Sequence, residues 1–235
     1  MTRTRAALLA VVLLGVGGCA SVLSWNSDTY VVQSGDTLYK IAWRYGLDYR
    51  DLAEWNRLGS GNTIYAGQTI RLKPPQGWGS GARTASGSTA GSRSAGSTSR
   101  PPRQDARSSA PPPSAWRWPT QGSVVGRFGE SALGGNGIDI SGRPGQPVSA
   151  AAAGEVVYSG SGLIGYGKLI IVKHNQTYLS AYGHNRELRV VEGDRVSAGQ
   201  TIALMGEGPG RKPVLHFEIR RNGKPVDPLR YLPGR

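Results

Sequence analysis

Residues 74–115 decide how the rest of this chain can fold. Their 42 positions are dominated by Gly, Ser, Ala, Pro and Arg and hold no aliphatic side chain larger than alanine. Such a stretch cannot bury enough apolar surface to offset the entropy lost on ordering, so a disordered linker is expected. As a flexible coil it spans ~35–40 Å root-mean-square, and Pro101–Pro102 and Pro111–Pro113 stiffen it locally. It divides the 235 residues into two folded units, about 29–73 and 116–235, and lets the second search away from the first. No long-period repeat is visible.

The N-terminus reads as a targeting segment. Arg3 and Arg5 form a positive n-region, and Ala6–Val16 is an unbroken apolar run. Eleven residues are too few to span a bilayer but suit a secretory h-region. Cys19 is the only cysteine, so no intrachain disulfide can form. Val16-Gly17-Gly18-Cys19 resembles a bacterial lipobox. That resemblance implies a signal peptide over 1–18, a lipidated Cys19 at the start of a tether over 19–28, and anchoring through several acyl chains. Ala20, rather than an aspartate, follows the cysteine. In the sorting rules of Gram-negative lipoproteins this implies outer-membrane delivery, facing the periplasm.

The formal charge is +13, spread over the chain, with +4 in residues 74–115 and +6 in residues 116–235. A basic balance suits nucleic acid, anionic lipid or an acidic polymer. No nucleic-acid motif accompanies it, so no nucleic-acid partner is expected and the charge reads as solvated surface.

In the first unit, Thr29–Gln33 has a strand pattern. Asp36 or Thr37 is placed to cap a helix whose apolar positions Leu38, Ile41, Ala42 and Tyr45 share one face, and Gly46 stops it. Asp48 is placed to cap a second short helix with Leu52, Ala53 and Trp55. Gly67–Leu72 returns as a strand. A β-α-α-β unit of 45 residues without disulfides lies near the lower size limit for independent folding, and Trp43, Trp55 and several tyrosines are expected to supply much of its core. Tyr30-Val31-Val32, Gly35-Asp36-Thr37-Leu38, Ile41-Ala42, Leu52, Asn56 and Ile64-Tyr65-Ala66-Gly67-Gln68 resemble a LysM module. The resemblance implies binding to N-acetylglucosamine-containing glycan, hence peptidoglycan. It also implies that Asp36, Thr37 and Leu38, with Asn62, Thr63 and Ile64, form the two loops bordering the sugar groove. The plainer alternative is that Asp36 and Thr37 only cap the helix and Ile64 only packs.

The second unit is strand-rich. Glu155–Ser159, Leu169–Lys173, Tyr178–Tyr182, Thr201–Met205 and Leu215–Arg220 carry β-branched or aromatic residues between turn signals, and no helix-length periodic stretch occurs. A twisted, mainly antiparallel sheet assembly with a groove across one face is expected. Asn136-Gly137-Ile138-Asp139-Ile140 and Val214-Leu215-His216-Phe217-Glu218 resemble the zinc core of LytM-type (lysostaphin-like) cell-wall endopeptidases, of duplicated-hybrid-motif fold. Those enzymes carry His-x-Gly-x-Asp early and His-x-His late. Position by position, Asp139, His216 and His184 (in Tyr182-Gly183-His184) are kept, whereas Asn136 replaces a metal-ligating histidine and Val214 a catalytic one.

A hydrolytic zinc site needs three protein ligands and an open position for water. An amide oxygen at 136 is a poor substitute for imidazole, and valine cannot handle a proton. The expectation is therefore no enzyme, no metal and no other cofactor. His216 then reads as a strand histidine, and Asp139 as its partner or as an acceptor of backbone bonds. His174 reads as structural, and Glu218 either lines the groove or pairs with an arginine.

Trp118-Pro119, Gly126-Arg127-Phe128-Gly129, Gly165-Tyr166-Gly167, the run 179–185 and the run 226–233 are similar to the lipoprotein activators of murein hydrolases. Those proteins share the order signal, lipidated cysteine, LysM, basic linker, degenerate LytM domain. That resemblance implies a domain that docks on a periplasmic N-acetylmuramoyl-L-alanine amidase and relieves its autoinhibition, so that septal murein is split and daughter cells separate. The groove of Asn136, Asp139, His184, Val214 and His216, with nearby Arg211 and Lys212, is the expected contact. A plain wall-binding tether and a zinc endopeptidase with unusual ligands are the competing functions.

Overall fold

A computed structural model describes residues 28–59, 62–78, 111–130 and 135–234. The proposed signal peptide, Cys19 and most of the linker lie outside them. No described helix is long and apolar enough to cross a membrane.

The N-terminal unit is β1 (Thr29–Val31), α1 (Leu38–Tyr45), α2 (Tyr49–Trp55) and β2 (Thr69–Arg71), with β1 and β2 antiparallel. Its helix ends follow from local chemistry. Thr37 caps α1 by accepting from the Lys40 N–H at 3.1 Å. Gly46 ends it in the left-handed conformation, φ 63°, which glycine adopts without a Cβ penalty. Asp48 caps α2 by accepting from the Arg50 N–H. Leu38, Ile41, Ala42, Leu52 and Ile70 close a small core between the helices and the ribbon.

The C-terminal unit is entirely antiparallel. β3 (Val124–Gly126), β4 (Ile138–Ser141), β11 (Val214–Arg221), β8 (Tyr178–Leu188), β7 (Lys168–Lys173), β6 (Gly154–Gly160) and β9 (Arg195–Val196) lie side by side in that order. The far half of β8 leaves this row to pair with β10 (Thr201–Met205), which pairs with β5 (Pro147–Ser149). β12 (Lys224–Val226) is a hairpin on β11. Its two-residue loop, Asn222-Gly223, has φ of 49° and 74° at the two positions, the mirror-image turn that matches strand twist. The long β8 changes partners at His184, whose φ of 61° places it in a region that a non-glycine residue rarely visits.

The sheet is apolar on both faces. One face packs Ile138, Ile140, Ile170, Tyr182, Leu215 and Phe217 into the main core. The other presents Leu169, Ile171, Leu179 and Ala181, and the N-terminal module covers it. Here the structure departs from the expectation that Trp43 belongs to the core of its own unit. Trp43 clusters with Val157, Leu163, Leu169 and Ile171 of the C-terminal sheet, because it lies on the opposite side of α1 from Leu38 and Ile41. The two units therefore share buried surface. Asn222 accepts from Arg50, and Lys224 donates to the Gly46 carbonyl. A Cβ at Gly223 would lie 2.4 Å from the Leu47 carbonyl oxygen, so only glycine lets the hairpin tip approach the α1–α2 loop.

His174, expected to be structural, anchors the far edge of the domain. Its Nδ1 lies 2.8 Å from the Ala153 carbonyl oxygen and so carries the proton; its Nε2, 2.7 Å from Ser180 Oγ, accepts. Burial pushes its pKa down to about 4. A group charged more readily when unfolded contributes stability that is complete above pH 6.5 and is lost as pH falls toward 4. Allowing for partial exposure, His174 should account for about 2 kcal/mol of the stability lost between pH 7 and pH 4. Urea unfolding of the wild type and His174→Gln at both pH values measures this. Equal pH dependence in the two proteins would refute it.

Candidate functional site

Of the residues expected to form the emptied metal site, Asp139, His184, Val214 and His216 lie on the neighbouring strands β4, β8 and β11, whereas Asn136 precedes β4 and lines a separate cleft. β4 and β11 pair with His216 opposite Asp139, and β11 and β8 with His216 opposite Gly183. His216 Nδ1 sits 2.7 Å from Asp139 Oδ1, and its Nε2 sits 3.1 Å from Glu218 Oε1. Both ring nitrogens are thus engaged by carboxylates. The His184 ring lies edge-on with its centroid 6.1 Å from that of His216. Val214 is close to His184: a Cβ at Gly208 would meet both Val214 Cγ1 and the His184 ring. Asn136 lines a cleft of about 880 Å³ with Tyr166, Ile164 and, from the N-terminal unit, Arg44 and Tyr45. Arg211 and Lys212 follow on an exposed turn, where Arg211 pairs with Glu207.

The chain of charge continues inward. Glu218 Oε1 also accepts from the Tyr166 hydroxyl at 2.6 Å, and Oε2 accepts from Arg220 Nε at 3.0 Å. Arg220 then donates to the Trp43 carbonyl at 2.9 Å and lies 3.6 Å from the centroid of the Trp43 ring. Asp139, His216, Glu218, Arg220 and Trp43 form one continuous path from the site to the N-terminal module. Burial alone would disfavour charge on His216, but its bonds to Asp139 and Glu218 outweigh this and hold its pKa above the usual range. Burial likewise works against an ionised Glu218, and His216 and Arg220 overcome it, so the carboxyl titrates below its ordinary value. Burial, then the Glu218 charge, pushes Tyr166 up to about 12, so it keeps its proton and donates its hydrogen bond to Glu218 at any physiological pH. Burial, followed by the neighbouring His216, keeps His184 below its ordinary value.

Of the two roles the sequence left open for Glu218, the structure has the second: it pairs with Arg220, and being fully buried it also bonds His216 rather than lining an open groove. Arg220, Tyr166 and Trp43 were not expected as members of the site: Trp43 was expected in the core of its own unit, and Tyr166 entered only within a family motif. The signal for Arg220 is in the strand itself, since His216, Glu218 and Arg220 put three polar groups at alternate positions of an otherwise apolar run. With period 2, all three face the same side.

The six residues expected to border the sugar groove line one cleft of about 290 Å³. Asp36 accepts from the Tyr30 hydroxyl at 2.6 Å and the Gln33 N–H at 2.9 Å, and pairs with Lys40 at 2.8 Å. Burial pushes its pKa up, but these bonds prevail and lower it. Thr37 caps α1, and Leu38 is core. Thr63 is the exposed member; Asp36, Thr37, Asn62 and Ile64 are half-buried.

Fold and clefts together fit a LysM module joined to an antiparallel β domain of the M23 (LytM-like) type. Residues 30–73 match the LysM domain profile, and residues 134–228 match Peptidase family M23. The lipoprotein NlpD/LppB homolog of Pseudomonas aeruginosa is 46% identical over 89% of this chain and 78% of its own. Murein hydrolase activator NlpD of Escherichia coli K12 is 38% identical over 90% of this chain and 69% of its own. Lipoprotein YgeR of the same organism, described as uncharacterized, is 40% identical over 95% and 92%. The chain belongs to the NlpD/LppB family of LysM- and M23-containing lipoproteins.

Proposed function

We propose that the chain is a non-catalytic activator of a periplasmic N-acetylmuramoyl-L-alanine amidase. It holds peptidoglycan through the LysM module and promotes septal murein splitting from an outer-membrane lipid anchor at Cys19. The observation that carries this reading is the pairing of Asp139 with His216. The two donors that remain from a zinc centre are bonded to each other, and the other nitrogen of His216 is held by Glu218. Zinc takes three protein ligands and leaves one position for water. Among the described residues no cluster of three or more His, Cys, Asp or Glu is arranged to hold a metal. The donor set does not fit zinc.

What remains is a preformed concave surface between the two units, of mixed polarity, suited to receive a segment of another protein. Activation requires that the surface bind the open amidase more tightly than the closed one, since equal affinity shifts no population. The names of the relatives as murein hydrolase activators support the same reading. Arg211, with its side chain 91% exposed, and Lys212 lie on the turn before β11, outside the lining of that cleft, and are proposed as a separate basic contact on the His184–Val214 side of the site.

The test is reconstitution with candidate amidases, following dye release from labelled murein. The wild type should activate an amidase and release nothing alone. The double reversal Arg211→Glu, Lys212→Glu should weaken activation at least tenfold, on the order of 1.4 kcal/mol of coupling, with the fold intact. Unchanged activation removes this basic turn from the contact, and dye release without any amidase would restore the endopeptidase reading.

A further inference from the structure

The cleft bordered by Asn62, Thr63 and Ile64 has a second wall that the LysM module does not supply. Glu155 and Val157 of β6, with Glu192 and Gly193 of the turn before β9, close its far side. We propose that these residues form part of the saccharide site, so that a short N-acetylglucosamine-containing glycan is held between the two domains. The proposal rests on the reading of the LysM module as the glycan holder and adds a partner wall to it.

The chemistry of the two walls is complementary to an amino sugar. Sugar hydroxyls and the acetamido N–H are donors, and ionised carboxylates only accept. Glu155 and Glu192 are both exposed at the cleft. Glu192 is held in place because its Oε1 accepts from the Ser159 N–H at 3.3 Å. Ile64 offers an apolar surface for the C–H face of a pyranose ring, and Asn62 supplies both donor and acceptor groups. By contrast, Asp36 and Thr37 already spend their side-chain oxygens on their own loop and helix. A LysM loop pair whose polar groups are so engaged gains from carboxylates provided opposite. At about 290 Å³ the cleft lies at the small end of ligand sites, which suits a short stretch of sugar rather than a bulky peptide-bearing strand.

The geometry exists only while the module sits on the sheet. Tyr39 lies in the cleft wall and is 3.2 Å from Lys173 Nζ of β7, so docking and cleft share a residue.

Isothermal titration of the full chain in detergent with chitotetraose tests the site. Glu155→Ala, Glu192→Ala should lower affinity at least fivefold without moving the melting temperature, since both side chains are exposed. Unaltered affinity in that variant overturns the composite site. A parallel Asn62→Ala, Thr63→Ala variant separates the layers. If it loses binding while the glutamate variant does not, the LysM reading stands and the second wall falls. If the wild type itself binds no chitotetraose, both fall. Amidase activation is read in a separate assay and is untouched by any of these outcomes.

Discussion

Trp43→Ala should detach the N-terminal module from the sheet. The side chain is only 4% exposed although it sits on the outer face of its own module. Removing a buried tryptophan costs about 3–5 kcal/mol, part of which is the stacking of Arg220 on the ring, on the order of 2 kcal/mol when desolvated. Two consequences are measurable. The melting temperature should fall, and a hydrophobic dye such as ANS should gain binding as Leu169, Ile171, Leu179 and Ala181 lose their cover. A variant with the wild-type melting temperature and no added dye binding would mean that the modules are not joined through this residue.

Glu218→Ala should destabilise the C-terminal domain by a similar amount. The carboxylate is fully buried and bonds His216, Tyr166 and Arg220 at once. Its removal leaves a guanidinium, 3% exposed, without its carboxylate partner, and breaking a buried pair from one side costs about 3–5 kcal/mol. The double variant Glu218→Ala, Arg220→Met should recover part of this loss, since no uncompensated charge is then left inside. Urea unfolding at pH 7 gives both numbers. A loss below about 1 kcal/mol for the single variant, or no recovery in the double, would contradict the account of a buried chain of charge.

The elements with strong local signals were legible in the sequence. Thr37, Gly46 and Asp48 mark the helix ends where the structure has them. The five longer strands lie at or within a few residues of their β-branched runs, except that β8 continues past Tyr182 to Leu188. That extension was hidden because it passes through a left-handed residue, His184, where pairing moves from one neighbour to another. The edge strands β3, β5 and β9 have two or three residues each, too short for a period to show. The β11–β12 hairpin did have a signal, Asn222-Gly223 between strand-like runs, which is among the strongest short-range indications of a tight turn.

The candidate site was legible as a list of residues but not as a network. Asp139 as the partner of His216 was one of two readings open from the sequence, but the register of β4 against β11 that selects it, and the continuation through Glu218 and Arg220 to Trp43, follow from no local pattern. Trp43 was misplaced for a related reason. Tyr39 and Trp43, four residues apart, make a second apolar stripe on α1 beside that of Leu38, Ile41 and Ala42. A helix apolar on two sides has two partners, and the second belonged to the other unit.

The buried joint between Trp43 and Arg220 also fixes a distance. Joined only by a 42-residue coil, the C-terminal domain would roam ~35–40 Å from the LysM module. Seated against α1 it stands off by about the width of one helix, ~10 Å, and keeps one bearing. Under the proposed function, a protein docked in its cleft would be presented to the sugar strand at a set height and angle, as a tool is held by a rigid holder rather than by a rope.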